Sequence, residues 1–303
     1  MNLFKTKFNA ATIVLIPACI GINYLGKMFA SLLKLPLWLD SIGTCIGGCL
    51  GGPVIGAICG IGGGVIIKPV LDALGAFPVS TINFLSGCTV LSMTAYSVLR
   101  SRVSGASQID FKTATPLAVG AAVGGLVGKD LFSMVEGLFD TPDTAGAVQA
   151  AVLMVITIGT LVYTINKEKV ATKQVTNAFA CAVIGLFLGI MSSFLGIGGG
   201  PINLVVLYYF FSMQTKEAAQ NSLYIILFSQ VASTLRSVLT MDLASVSIAL
   251  IAGMVVCGIL GGVAGRAVNK CIDSERVDKL FIGLMVVIIL INVYNIAKYT
   301  VLA

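Results

Sequence analysis

The sequence contains no histidine and few charged residues of either sign. Lysine and arginine number 19, aspartate and glutamate number 13, and charged residues make up 11% of the 303-residue chain. Soluble globular domains carry about 25%. Without histidine the chain lacks the commonest metal-binding side chain, and its eight cysteines include no C-x-x-C pair. We therefore expect no metal site and no cofactor.

Other functional motifs are also missing. The sequence has no phosphate-binding ATPase motif and no pairing of a nucleophile with a base, so we do not expect an enzyme. Basic clusters interleaved with aromatic residues, which indicate nucleic-acid binding, are absent as well. We interpret the net charge of +6 as a matter of membrane topology.

Long apolar runs dominate the sequence, and hydrophobic residues make up 57% of the chain. Because a membrane-spanning helix needs about 20 apolar residues, we predict an all-α integral membrane protein embedded in the lipid bilayer. The first run, 10–25, has no clear A-x-A cleavage site and is interpreted as a retained span. The later runs are 40–59, 81–99, 114–135, 146–165, 177–195, 217–239, 245–266 and 277–299.

Two apolar pieces, 65–75 and 201–211, are too short to span a bilayer. Each directly follows the pentapeptide GIGGG, which occurs at Gly60–Gly64 and at Gly196–Gly200. Broken backbone at membrane depth is tolerated only where it is buried in protein or lines a cavity. We therefore predict that 65–75 and 201–211 are half-helices whose glycine-rich starts hold something polar.

The chain also repeats itself in a fixed order. GIGGG recurs after 136 residues, GGLVGK at Gly124 recurs as GGVAGR at Gly261 after 137, and Asn83 recurs as Asn221 after 138. A duplicated unit explains this spacing. We predict an N-terminal transmembrane helix with an interfacial segment over 1–38, a first unit over 39–167 and a second unit over 168–303.

Loop charges set the relative orientation of the two units, because cytoplasmic loops are rich in lysine and arginine. They place the loops at 100–112, 167–173 and 266–276 inside, and the acidic loop at 136–143 outside. The loop near residue 241 is then outside, although its counterpart at 100–112 is inside. The sequence thus predicts two inverted-topology repeats with broken, re-entrant helix hairpins in the cell membrane. The N-terminus would be cytoplasmic and the C-terminus outside.

Glycines that precede a helix leave backbone N–H groups unhindered, and the helix N-terminus adds a partial positive charge, so the two GIGGG segments suit an anion. Close packing through small residues is the alternative, and we prefer it for GGLVGK and GGVAGR. Lys68 either binds the substrate or extends its stem to the membrane interface, where it would meet Asp72. The candidate substrate-binding residues are Gly60, Gly62, Gly63, Gly64, Lys68, Asn83, Gly196, Gly198, Gly199, Gly200, Asn203 and Asn221.

Duplicated G-x-x-x-G-x-G-G-G segments, each followed by a half-helix, a polar-flecked helix and a G-G-x-x-G-[KR] helix, resemble the TauE/SafE sulfite exporter family. The runs 56–64 and 189–200 carry the resemblance most clearly. It implies a secondary transporter of a small, sulfur-containing anion such as sulfite or an organosulfonate, working by alternating access. The resemblance leaves open the anion, the direction, a coupling ion (a proton or another ion) and a homo-oligomeric state.

A second, local resemblance supports an alternative function. LPLWLDSIGT at 35–44, followed by GGPVIGA at 51–57, is similar to the early helices of vitamin-uptake subunits of energy-coupling-factor transporters. It implies a membrane substrate-capture subunit that needs partner proteins for transport. Those subunits are shorter and lack the GIGGG duplication, so this alternative ranks second.

Overall fold

A computed structural model of the chain describes residues 51–75, 77–105, 107–139, 142–240 and 246–301. Within these ranges the chain forms helices joined by turns and short loops, without β-strands, as the all-α prediction requires. The predicted first span, the interfacial segment that follows it and the LPLWLDSIGT segment lie outside the described residues.

The helices follow one another closely along the chain. Their bounds are α1, 51–59 within the described residues; α2, Gly64–Leu74; α3, Val79–Val103; α4, Phe111–Glu136; α5, Pro142–Asn166, extended by a 3-10 turn at Lys167–Lys169; α6, Ala178–Phe194; α7, Pro201–Phe211; α8, Thr215–Thr240; α9, Ile248–Cys271; and α10, Ser274–Val301. Among the described residues six helices are long and apolar enough to cross a membrane, namely α3, α4, α5, α8, α9 and α10. Each covers a predicted span.

The remaining helices are short. Helices α2 and α7 have 11 residues each, which makes them about 17 Å long, roughly half the thickness of the hydrocarbon core. Their bounds confirm the half-helices predicted at 65–75 and 201–211. Helix α6 has 17 residues and is somewhat shorter than the run 177–195 suggested.

Local sequence explains where several helices begin and end. The Asp110 side chain caps α4 by accepting a hydrogen bond from the Lys112 N–H at 3.1 Å. The Asn177 side chain caps α6 in the same way through the Phe179 N–H at 2.9 Å. Helix α2 ends at Gly75, whose φ of +63° is the left-handed conformation common at helix C-termini.

Glycines bring helices α4 and α6 into backbone contact. A β-carbon at Gly120, Gly124 or Gly128 would overlap the carbonyl of a residue on α6, in turn Ala182, Leu186 and Ile190. On α9, Gly261 and Gly265 meet the α1 backbone at Pro53 and Val54 in the same manner. Because the space of a side chain is taken by a neighbouring backbone, GGLVGK and GGVAGR serve close helix packing.

The two halves of the chain interlock. Helix α4 of the first half packs on α6 and α8 of the second, while α9 of the second half packs on α3 and contacts α1 of the first. Helices α5 and α10, the last of each half, pack on each other, and each also contacts the half-helix of the opposite half, α7 and α2 respectively. The two GIGGG segments lie within this arrangement.

Candidate functional site

The glycines of the two GIGGG segments, which we call the tips, adopt backbone conformations that other residues avoid. In the first tip φ is +76° at Gly60 and +70° at Gly62. In the second tip φ is +65° at Gly196, +65° at Gly198 and +90° at Gly199. A residue with a β-carbon is strained in this region, so these turns require glycine.

The two tips touch each other through their backbones. A β-carbon at Gly62 would lie 2.6 Å from the carbonyl oxygen of Gly198, and one at Gly64 would overlap the carbonyl of Ile197. Helix α2 starts at Gly64 and helix α7 at Pro201, so the N-termini of both half-helices adjoin this contact. Each N-terminus carries about half a positive charge.

The backbone N–H groups at the tips are unused. Within the described residues, no hydrogen-bond acceptor faces the N–H groups of Gly62–Gly64 or of Gly198–Gly200. More than nine-tenths of buried backbone groups in proteins are paired. The tips therefore present a set of free donors in a site that carries partial positive charge.

Three polar side chains with unpaired atoms stand at the tips. Asn83 is 3% exposed, has no partner for either amide atom, and lies against the backbone of Gly196. The unpaired Ser86 hydroxyl lies 2.7 Å from where a β-carbon on Gly64 would be. Asn203 has an unpaired carbonyl oxygen. Buried polar side chains usually have partners, so this cluster is suited to a polar ligand.

Asn221 serves a different purpose. Its side chain accepts a hydrogen bond from the Asp110 N–H at 3.1 Å and donates to the Gln108 carbonyl at 3.2 Å. It therefore holds the loop between α3 and α4. The residue against Gly60, in the place that Asn83 takes against Gly196, is Ala219. The sequence paired the two asparagines at a spacing of 138, whereas the tip contacts follow the spacing of 136.

Lys68 is buried and paired. Its ammonium group lies 2.6 Å from the Asp72 carboxylate, and the two side chains are 2% and 3% exposed. The lysine does meet Asp72, as one alternative held, but within the protein interior. Since Asp72 lies one turn beyond Lys68 from the tip, the ion pair draws the ammonium group away from Gly64. Asn295 of α10 steadies this helix through its amide, which donates to the Pro69 carbonyl at 2.9 Å.

A cavity of about 270 Å³ opens where α3, α8 and α9 meet the loop after α3. Its lining is Ala57, Ser97, Val98, Ser101, Gln108, Ile109, Lys216, Ala219, Gln220, Leu223, Arg266, Asn269 and Lys270. The described lining includes three cationic side chains, Lys216, Arg266 and Lys270, and no acidic one. Because Ala219 also packs on Gly60, the inner end of the cavity adjoins the first tip. We call this the basic cavity.

Sequence reasoning treated the cations of the basic cavity only as indicators of topology. One signal was available, because Arg266 and Lys270 are one helical turn apart and so share a face of α9. Nothing comparable pointed to Lys216, which reaches the cavity from α8. No group of three metal-ligating side chains occurs in the part of the chain that the structure describes.

Together, these features define a multi-pass helical membrane protein built around two broken-helix tips, with an approach lined by positive charge. In comparisons with known proteins, the family described as Sulfite exporter TauE/SafE matches residues 44–291. This match covers most of the chain, which therefore belongs to the TauE/SafE sulfite exporter family. Comparison with curated proteins and with solved structures gives no significant match.

Membership in the family confirms the resemblance carried by the glycine segments. The family consists of membrane transporters of sulfite-like anions, not of enzymes. The chain is accordingly a membrane transporter with an anionic substrate and a lipid environment.

Proposed function

We propose that this protein is a secondary transporter of a small, sulfur-containing anion, such as sulfite or an organosulfonate, which it holds between the two tips. The observation that carries the proposal is the meeting of two half-helix N-termini, with unused N–H groups, inside the protein. Two partial positive charges repel each other in a medium of low dielectric constant. An anion between them removes that repulsion and accepts the free N–H groups.

The side chains at the tips suit the same ligand. Asn83 and Asn203 supply amide groups with unpaired atoms, and Ser86 supplies an unpaired hydroxyl. The charges nearest along α2, those of Lys68 and Asp72, neutralise each other. An oxyanion with several acceptor oxygens fits donors of this kind better than a cation, since no unpaired carboxylate is found among the described tip residues.

We further propose that the protein works by alternating access between two inverted repeats. The repeated spacing in the sequence supports this, as does the reciprocal packing of α4 on α6 and α8, and of α9 on α1 and α3. Inverted repeats with discontinuous helices around a central site are typical of secondary transporters. In this scheme the basic cavity lies on the cytoplasmic face of the cell membrane, as the loop charges predict. A coupling ion and a homo-oligomeric state remain open parts of the proposal.

A pair of asparagine variants tests the binding site. Asn83→Ala removes an unpaired buried amide, so it should leave the melting temperature unchanged or raise it, because such a group costs about 1–3 kcal/mol. It should also abolish the rise in melting temperature that sulfite or a sulfonate gives to the purified protein. Asn221→Ala is the matched control. It should lower the melting temperature, since its bonds to the loop are lost, and keep the anion-induced rise.

Flux measurements complete this test. Purified protein in sealed vesicles should carry sulfite without any partner protein, and Asn83→Ala should reduce that flux at least tenfold. If no sulfur anion raises the melting temperature of the parent protein at any concentration, the anion site is refuted. Flux that appears only after a second protein is added would instead favour a substrate-capture subunit.

A further inference from the structure

The basic cavity has a counterpart on the opposite face whose equivalent positions are closed. Arg266 of α9 is half-buried, lines the basic cavity and donates to the Ser97 carbonyl at 2.7 Å. The residue 137 positions earlier, Lys129 of α4, stands at the end of GGLVGK as Arg266 stands at the end of GGVAGR. Lys129 is only 9% exposed.

The surroundings of these two cations correspond residue by residue. Three positions beyond Arg266, the Asn269 amide donates to the Ile58 carbonyl of α1 at 2.7 Å. Three positions beyond Lys129 is Phe132, and its ring meets that of Phe194 on α6 edge-to-face at 6.4 Å between ring centres. Phe194 follows Ile58 by 136 residues, so the same contact is made twice. One copy is polar and borders an open cavity, whereas the other is aromatic and buried.

Lys129 has no ion-pair partner among the described residues. Its ammonium group instead lies 5.8 Å from the centre of the Phe132 ring. A buried ammonium group without a carboxylate is costly, and in a membrane protein it indicates a functional position. In the open copy the equivalent cation, Arg266, faces a cavity that an anion can enter.

We propose that Phe132 and Phe194 form the closed gate of a second anion-receiving cavity, in which Lys129 takes the place that Arg266 takes in the basic cavity. When this gate opens, Lys129 faces an anion that enters from the side opposite the basic cavity. This inference rests on the proposed alternating-access function, since it assigns the second entrance of the same path. Its ligand is the same small oxyanion.

The gate is tested by the accessibility of Ser233, the counterpart of Ser97 after 136 residues, which is 7% exposed. A Ser233→Cys protein is treated with a membrane-impermeant, anionic methanethiosulfonate applied to intact cells or to inside-out vesicles. Mass spectrometry quantifies the modification at residue 233 itself, so the native cysteines remain in place. Phe132→Asn, which copies Asn269, should increase the rate of modification at least tenfold, and only from the face opposite the basic cavity.

Phe139→Asn is the matched control, because Phe139 is an exposed phenylalanine just beyond the same end of α4. It should leave the rate within twofold of the Ser233→Cys parent. Should Phe132→Asn fail to fold, Phe132→Leu keeps an apolar side chain while removing the ring contact, and we expect a threefold or greater increase. Rates within twofold of the parent in the folded variant would overturn the gate, and so would modification from the basic-cavity face.

The role of Lys129 is tested by charge. Near a positive group the anionic reagent should react faster than its cationic trimethylammonium analogue, and Lys129→Gln should reduce that ratio about threefold to tenfold. An unchanged ratio would refute the role of Lys129. The readouts require no substrate, so they remain distinct from the flux test. A protein that transports no sulfur anion can still show the gate, and a transporting protein can fail to show it.

Discussion

Replacing Gly64 with alanine places a methyl group at the contact between the two tips. The added carbon would overlap the carbonyl of Ile197 and lie 2.7 Å from the hydroxyl oxygen of Ser86. A serine hydroxyl can rotate away, but a backbone carbonyl can retreat only if the second tip moves. Gly64 is helical, so strain from a positive φ does not contribute at this position.

The expected magnitude follows from two opposed effects. An extra carbon forced into a packed interior costs about 1–3 kcal/mol, and the rigid carbonyl places Gly64→Ala toward the upper end. Alanine gains at most about 1 kcal/mol over glycine in a helix. We therefore expect a net loss of about 2 kcal/mol, or a fall in melting temperature of roughly 4 °C at about 2 °C per kcal/mol. Anion flux should fall as well, because the tips are pushed apart.

Gly159→Ala is the matched control for Gly64→Ala. Gly159 is also helical, and a β-carbon there would meet nothing within 4 Å. This variant should melt at the parent temperature or slightly above it. Thermal unfolding of both proteins in the same detergent gives the comparison. If Gly64→Ala melts as high as Gly159→Ala, the tips do not touch and the site cannot lie between them.

Two further predictions concern buried polar contacts. Lys68→Met leaves the Asp72 carboxylate buried without a partner and should cost about 3–5 kcal/mol, whereas adding Asp72→Leu should recover most of that loss. Melting temperatures decide this, and a double variant no more stable than Lys68→Met would contradict the paired state. Asn269→Ala removes the donor to the Ile58 carbonyl and should cost about 1–3 kcal/mol in thermal unfolding. Asn166→Ala, which breaks only an exposed bond within its own helix, should cost less, and equal losses would show that the Asn269 bond adds nothing.

Much of the fold follows from local sequence. The glycine triplets interrupt apolar runs, so the bounds of α2 and α7 can be predicted to within a residue. Apolar length predicts the six long helices, because a bilayer imposes nearly the same thickness on each. The close-packing role of GGLVGK can also be predicted, since small residues at helical spacing suit helix contacts in membranes.

The site is less predictable, because its contacts join residues that are distant in the sequence. Asn83 and Asn221 look equivalent by spacing, yet one lies against a tip and the other holds a loop. A shift of two residues along a helix turns a side chain to a different face, and sequence alone does not set that register. The charges at Lys216 and Arg266 likewise become a cavity only when α8 and α9 meet.

The glycine contact between α4 and α6 has a mechanical consequence. Where Gly120, Gly124 and Gly128 face carbonyls, no side chain is available to change rotamer or to slide past a neighbour. The two helices are therefore joined as a stiff block. Any rearrangement of the protein must occur where side chains separate the helices, as between the tips and Val90 or Ile226. The positions of the glycines thus divide the molecule into parts that move together and surfaces along which they can shift.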